Sequence, residues 1–407
     1  MKQIVLLIIL LTSILQASFH GIIIDKKNKK PLANAIISDA FRSVKSDTNG
    51  TFFIDSKEKL YHVKAYGYRP LSFSVDTNNS TISLEPIRVK ALYLTYWGAS
   101  NNSGTLKKIL SIADTTEINA VVMDVKNEYG STSFLTSFEE ANSYGAAKTR
   151  TNRNIQKFMQ TMKKHHIYTI ARIVVFKDEL QAAHNPSYAL KKKVTGKIWR
   201  NSDNMAWVDP YDERSHKYSI RIAEEAAKVG FDEINFDYIR FPAKKGLVFS
   251  QENNQKNRVK TIGKFIDSAQ KSLRKYGVFI SVNTYGNICW SKDDNGIGQT
   301  VSAIAKHADY LAPMLYPSGF SSGSFHFKYP ADHPYAVLRR SISNIKDRID
   351  TKRVRPWIQY FRDYTKKRRH YKKFEVQEQI RAADTMHTNG WMVWSPSSKY
   401  HQNYFIH

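Results

Sequence analysis

The sequence predicts an α/β protein, a (β/α)8 TIM barrel preceded by a small all-β sandwich. Three observations point there. From Lys90 onward, eight strand-like runs are joined by seven helical stretches. Residues 19–88 instead show short alternating runs divided by turn signals. The first strand of the alternating region ends Tyr96-Trp97-Gly98-Ala99-Ser100, without the Gly-rich phosphate turn that an open doubly wound sheet wants.

The elements follow in chain order. Residues 1–17 read MKQIVLLIILLTSILQA: Lys2 is a positive n-region and Ile4 to Leu15 an apolar run broken by Thr12 and Ser13. This is the layout of a secretory signal peptide, too short to span a bilayer comfortably. Export is therefore expected, to the periplasm, the envelope or the exterior, with no stable membrane span once the leader is removed. Strand-like runs follow at Gly21–Asp25, Ala35–Ser38, Gly50–Ile54 and Leu60–Ala65. Lys30-Pro31 and Asp47-Thr48-Asn49-Gly50 mark the clearest turns, since Asn-Gly supplies the positive φ that hairpins need.

Barrel strands are expected at Ala91–Tyr96, Ala120–Val125, Tyr168–Phe176, Asp232–Tyr238, Val278–Asn283, Tyr310–Tyr316, Arg355–Tyr360 and Trp391–Trp394. Helical periodicity fills the intervals, and Gly230, Gly277 and Gly390 stand where helix C-caps belong. The expected domains are thus 1–17 leader, 18–88 sandwich and 89–407 barrel, on a chain of 407 residues.

Composition narrows the function classes. Apolar residues make up 42% and charged residues 24%, enough for packed cores. Cys289 is the single cysteine, which excludes an internal disulfide framework and any Cys-based zinc site. No HExxH, CxxC, Walker or GxGxxG pattern stands in a supporting context, so neither cofactor nor metal is expected. The formal net charge of +26 favours anionic partners. Export argues against nucleic acid and for an acidic glycan or envelope polymer. Basic runs at Lys191–Lys193, Lys244–Lys245 and Lys366–Arg369 follow the third, fourth and seventh strands. They should rim one end of the barrel.

Barrel chemistry sits at the C-terminal strand ends. Asp237 closes the fourth strand, and Asn235 shares its face at spacing two. A carboxylate there is costly unless paired or used. It is expected to be the nucleophile or base, with Arg240 or Arg172 as a structural partner otherwise. Asp124 closes the second strand with Lys126 on its face and is the first choice of acid; Asp178, in the loop after strand three, is the second. Glu128 reads as a solvated loop carboxylate. Expected substrate contacts are Asn235, Tyr238, Arg240, Arg172, Lys126, Asn283, Tyr316, Gln359, Trp394 and Trp97. Aromatic rings beside Asp, Asn, Gln and Arg suit a sugar, which offers an apolar C–H face and a rim of hydroxyls.

Two resemblances extend this reading. Gly21 and Asp25, Lys30-Pro31-Leu32 with Ala35, Asp47 to Gly50 with Phe52, and Gly67-Tyr68-Arg69-Pro70 resemble the carboxypeptidase regulatory-like domain, a seven-stranded accessory sandwich without catalytic residues. Gly230 to Pro242, with Val122-Met123-Asp124-Val125-Lys126 upstream, resembles an uncharacterised bacterial family of glycosyl hydrolase barrel domains over roughly residues 90–400. That likeness implies a glycosidase with Asp124 and Asp237 at its site. Phe231 to Asp237, Met314-Leu315-Tyr316 and Gly390 to Trp394 are more distantly similar to chitinase-type barrels. Ile239, however, stands where the chitinase acid would be, and Pro317 where an aspartate would follow the tyrosine. The expected function is an exported glycoside hydrolase acting on an envelope or extracellular polysaccharide of acidic character. The alternative is a glycan-binding or envelope-assembly protein that kept the barrel and lost the chemistry.

Overall fold

The computed structural model describes residues 18–56, 58–74 and 79–406. The proposed leader, residues 1–17, lies outside the described residues.

Eight parallel strands close into a barrel in chain order. They are Val89–Leu94, Ala120–Lys126, Tyr168–Val174, Glu233–Asp237, Phe279–Tyr285, Tyr310–Met314, Trp357–Gln359 and Gly390–Trp394. Each lies within two residues of the run the sequence marks. The main outer helices include Gly104–Thr115, Ile155–Lys164, Glu213–Lys228, Gln255–Leu273, Pro334–Ser343 and Lys373–Thr385. Short polar side chains start many of them: Ser103, Asn154, Asp212 and Asn254 each accept a first-turn N–H. The apolar residues between strands and helices form one continuous buried cluster.

The barrel closes where the last strand meets the first. Gly390 pairs with Val89 there, with φ +81°. A Cβ at this glycine would stand 1.7 Å from the Val89 carbonyl oxygen, so a side chain is excluded sterically as well as by φ.

The fourth strand carries a polar column up the barrel interior. Glu233 is lowest: it is 0% exposed and takes two hydrogen bonds from Arg355 Nη1 at 2.7 and 2.8 Å. Tyr168 donates to the same carboxylate at 2.9 Å. Asn235 is one layer higher and donates to Ser281 Oγ at 2.8 Å and Asn283 Oδ1 at 2.9 Å. Asp237 is at the top. The period of two that puts Asn235 and Asp237 on one face also turns Glu233 inward.

The N-terminal region holds seven strands in a three-stranded and a four-stranded sheet. Phe19, Ile23, Ile37, Phe52, Ile54, Tyr61 and Val63 pack between the two, making a sandwich. It sits on the N-terminal end of the barrel. Lys64 reaches Asp309, just before the sixth barrel strand, at 2.8 Å, and donates to the Val278 carbonyl at 3.1 Å. Tyr66 packs against the lowest layer of the barrel interior, edge-on to Tyr310.

The Lys64–Asp309 pair is nearly solvent-free, with side-chain exposures of 9% and 4%. Removing one partner of such a pair leaves a buried charge uncompensated. Lys64→Met is expected to lower stability by about 3 kcal/mol, and adding Asp309→Asn to recover part of the loss. Urea denaturation of the single and double variants checks this; a loss below about 0.5 kcal/mol for the single change would mean that water reaches the pair.

Candidate active site

Three strand ends supply the charged centre of the C-terminal mouth. Arg172 projects inward from the third strand and is 2% exposed. Its Nε donates to Asp237 Oδ2 at 2.8 Å, its Nη1 to Asp124 Oδ1 at 2.7 Å and its Nη2 to Glu128 Oε1 at 2.9 Å. One guanidinium therefore gathers three carboxylates. Asp124 Oδ1 and Asp237 Oδ2 consequently lie within roughly 8 Å, two hydrogen-bond lengths plus the width of a guanidinium. The second oxygen of Asp124 accepts from Tyr93 Oη at 2.5 Å. The Arg172 guanidinium also stands 5.2 Å from the Trp394 ring, which stacks on Tyr93 at 4.0 Å.

This crowding separates the carboxyls. Burial raises Asp124 above the ordinary carboxylate range, against the pull of Arg172, and the neighbouring Glu128 charge adds to the rise. Burial acts on Glu128 the same way, but there the Arg172 charge and hydrogen bond prevail and hold it below its ordinary value. For Arg172 itself burial opposes the charged form, and Asp124, Asp237 and Glu128 outweigh it, so it stays charged. Burial also lifts the Tyr93 and Tyr316 hydroxyls far up, Asp124 adding to the first and Asp237 to the second, so both stay protonated.

Above this centre lies a cleft of about 220 Å³. Glu128, Arg172 and Asp237 form its charged wall; Tyr238, Tyr285, Tyr316, Trp357, Tyr364 and Trp394 supply rings, and Arg240 and Asn283 complete the polar lining. Tyr238 has φ +49°, the left-handed region, which a tyrosine rarely adopts. Its N–H is taken by Asp237 Oδ1 at 2.7 Å, fixing the turn that brings its ring back over the mouth. Among the described residues no cluster of three or more His, Cys, Asp or Glu is arranged to hold a metal ion. Nor is any helix there long and apolar enough to cross a membrane.

The residues singled out in the sequence divide accordingly. Asp237, Arg172, Tyr238, Arg240, Asn283, Tyr316 and Trp394 line the cleft. Asp124 and Asn235 stand behind the wall, Asp124 on Arg172 and Asn235 one layer down. Four expectations are corrected. Lys126 does not share the face of Asp124: the pairing of the second and third strands slips after Arg172, so that Lys126 rather than Val125 lies opposite Ile173. Lys126 points outward to Asp178 at 2.7 Å, both fully buried. Asp178 is closed off from the cleft, because it also caps the helix Glu179–His184 by accepting from Gln181 N at 2.8 Å. Gln359 is spent on the Ser318 N–H and hydroxyl at 3.1 and 3.0 Å. Trp97 is 71% exposed, edge-on to Tyr96, outside the cleft.

Sequence pattern does not single out Glu128: four residues beyond Asp124 the strand has ended and no period applies, and it joins the site through its bond to Arg172 and its place on the cleft wall. Tyr93 and Trp357 were legible in principle: Ala91 and Tyr93, and Trp357 and Gln359, share inward faces at spacing two.

The basic loops do come together in part. Lys191–Lys192 pairs antiparallel with Leu247–Val248, joining the connections after strands three and four into one ribbon. In the seventh connection Lys367 and Arg369 pair with Asp332, and Arg369 also with Glu375.

Residues 91–400 match the family described as "Putative glycosyl hydrolase domain". The PgaB (BpsB) glycoside hydrolase domain from Bordetella bronchiseptica is similar over 79% of this chain and 99% of its own, with TM-score 0.54 and 13% identity, a likeness of fold. A hypothetical protein from Ruminiclostridium thermocellum ATCC 27405 is 35% identical over 47% of this chain and 96% of its own, with TM-score 0.42. The spore cortex-lytic enzyme SleL of Bacillus megaterium QM B1551 covers 82% of this chain and 75% of its own at 13% identity and TM-score 0.46. No curated protein matches the chain.

The lowered Glu128 carboxyl sets a pH dependence. A carboxyl whose folded value is depressed stabilises the fold above its ordinary range and ceases to do so as pH falls through the folded value. Glu128→Gln removes that contribution. The variant is expected to lose less stability than the wild type between about pH 5 and pH 3 in urea melts. Parallel losses would show that Glu128 is equally solvated folded and unfolded.

Proposed function

The chain belongs to the glycosyl hydrolase domain family matched over residues 91–400, and from that membership we propose that it is an exported glycoside hydrolase acting on an acidic envelope or extracellular polysaccharide. The observation that carries the reading is the gathering of Asp237, Asp124 and Glu128 around Arg172 at the mouth of an aromatic cleft. Glycosidases work with two carboxyl groups across the scissile bond, one protonated and one ionised. Asp237 faces the cleft and serves as nucleophile or base. Asp124, whose burial favours the protonated form, is its partner carboxyl and the first choice of acid, acting from behind Arg172; Glu128, held ionised but lining the cleft, is the competitor for that role. Tyr316, Tyr238 and Trp394 offer faces to a sugar ring, and Asn283 a polar partner to its hydroxyls.

Hydrolysis of a polysaccharide panel tests the assignment. Asp237→Asn is expected to lower kcat by about 10³-fold or more, with folding retained. Loss of the acid harms substrates with poor leaving groups and spares activated aryl glycosides. Asp124→Asn is expected to behave in this way; the same pattern in Glu128→Gln instead would transfer the acid role to Glu128.

The full engagement of Arg172 favours a second reading, since three ion pairs on one guanidinium also describe a structural lock. In that case the protein binds glycan without cleaving it, and Asp237→Asn leaves binding unchanged in a wild-type protein that turns over no substrate.

For the sandwich, residues 18–88, an accessory module of the carboxypeptidase regulatory-like kind is proposed. Its seat at the far end of the barrel keeps it away from the cleft.

Acidic character is supported by the ribbon that carries Lys191, Lys192 and Lys193 next to Lys244 and Lys245. Such charges concentrate an anionic polymer, and salt weakens the effect as the screening length shortens to about 8 Å. Replacing these five lysines with Gln is expected to weaken binding of an acidic polysaccharide several-fold and flatten its salt dependence. Stability should change by no more than about 0.5 kcal/mol. An unaltered salt slope would make the ribbon a solubilising surface only.

A further inference from the structure

Arg240 stands three residues beyond Asp237 and lines the same cleft. Its guanidinium is 4.7 Å from the ring of Tyr285, 4.9 Å from that of Trp207 and 5.1 Å from that of Tyr238. The connections after strands three and four and the end of strand five thus supply one aromatic cage. Its one hydrogen bond among the described residues goes from Nη1 to its neighbour's carbonyl, Phe241 O, at 3.3 Å. No carboxylate among the described residues lies within ion-pair distance of it. Rings hold a guanidinium in place without neutralising it or consuming its N–H donors.

The contrast with Arg172 is informative. That guanidinium, in the same cleft, is saturated by the protein's own carboxylates, which it gathers on the side of strands two to four. Arg240 lies toward strand five, anchored and unspent. Tyr238, which forms one wall of the cage, holds its left-handed backbone conformation immediately after Asp237, and strain of this kind persists where surrounding structure enforces it for a task.

We propose that Arg240 recognises a carboxylate of the substrate, so that the sugar bound beside Asp237 is a uronic acid. The proposal rests on the glycan-binding part of the preceding reading and adds the substrate's chemical class. A planar fork of N–H donors matches a carboxylate in bidentate fashion. The cleft is small beside usual ligand pockets of roughly 300–1,000 Å³, so the ring at Asp237 and the anion at Arg240 belong to one sugar or to adjoining ones.

The test is calorimetric binding to the full chain at fixed ionic strength. Galacturonate, glucuronate and mannuronate oligosaccharides serve as probes, each against its own methyl ester. The wild type is expected to bind at least one uronate tenfold more tightly than its ester. Arg240→Gln should bring that acid-to-ester ratio to within about twofold, whatever it does to the two affinities separately, and Arg240→Lys should retain part of the ratio, as a point charge without the fork. Thermal midpoints of both variants near the wild type's exclude misfolding as the cause. Equal affinity for acid and ester in every wild-type pair overturns the proposal, as does an unchanged ratio in Arg240→Gln, which would reduce Arg240 to a cover for its rings. Stronger binding of a sulfated oligosaccharide than of any uronate overturns the carboxylate assignment. Turnover of neutral glycans that disappears in Asp237→Asn would leave the hydrolase reading standing when the uronate preference fails. Acid-selective binding without turnover does the reverse.

Discussion

The mouth of the barrel is organised by one buried cation. Arg172 has lost nearly all contact with water and must recover that hydration from within the protein. Three carboxylates do so, and their own burial is tolerable only because the guanidinium is there. Strand two places Asp124, strand four places Asp237, and a tight turn closed by Asn127, which accepts from Tyr129 N and Ser131 N, places Glu128; the guanidinium joins the three. Replacing the arginine would leave three acids at one point, and they could not all remain ionised. The separation of their proton affinities, one raised and one lowered, comes from the same geometry. A site that needs one protonated and one ionised carboxyl has here a physical means of keeping both.

The fourth strand shows how much such an arrangement owes to simple periodicity. Glu233, Asn235 and Asp237 rise on one interior face and meet Arg355, Asn283 and Arg172 in turn. The inward turn of two of these was legible in the sequence, because alternation leaves no freedom in a regular strand. All eight strands were legible for the same reason, each an apolar run with a helical period on either side. Legibility stops where regularity stops. Lys126 reads as a partner of Asp124 until the register slips between Arg172 and Ile173, and a single residue's offset turns it to the opposite side. Asp178 then has a buried lysine to compensate and a helix to cap, and is lost to the cleft. Glu128 and the cage around Arg240 depend on loops from different strands, whose meeting no local pattern encodes. Trp207 is the clearest case: it belongs to the long third connection, yet its ring serves a residue of the fourth.

The two ends of the barrel use charge differently. At the N-terminal end, Lys64 with Asp309 and Arg355 with Glu233 are matched one to one and shut away, and the sandwich covers them. At the C-terminal end the acids outnumber the buried arginine that binds them, and Arg240, which lines the cleft, pairs with no acid among the described residues. Balanced pairs serve permanence, while imbalance leaves valence for something else to fill. The sandwich thus contributes to the end where nothing needs to move, and its absence from the cleft is consistent with an accessory place in the molecule.

The glycine at the barrel's seam has a consequence for how the chain comes to be folded. Val89 meets Gly390 only after the rest of the barrel lies between them, whereas the sandwich has every one of its strands by Leu84. During synthesis the first strand must wait, one edge unpaired, while some three hundred residues are added, and an unpaired edge invites pairing with other chains. The sandwich is complete early and sits against the end from which that strand departs. A growing chain thus carries a finished domain beside its most vulnerable edge for most of the time that edge is exposed.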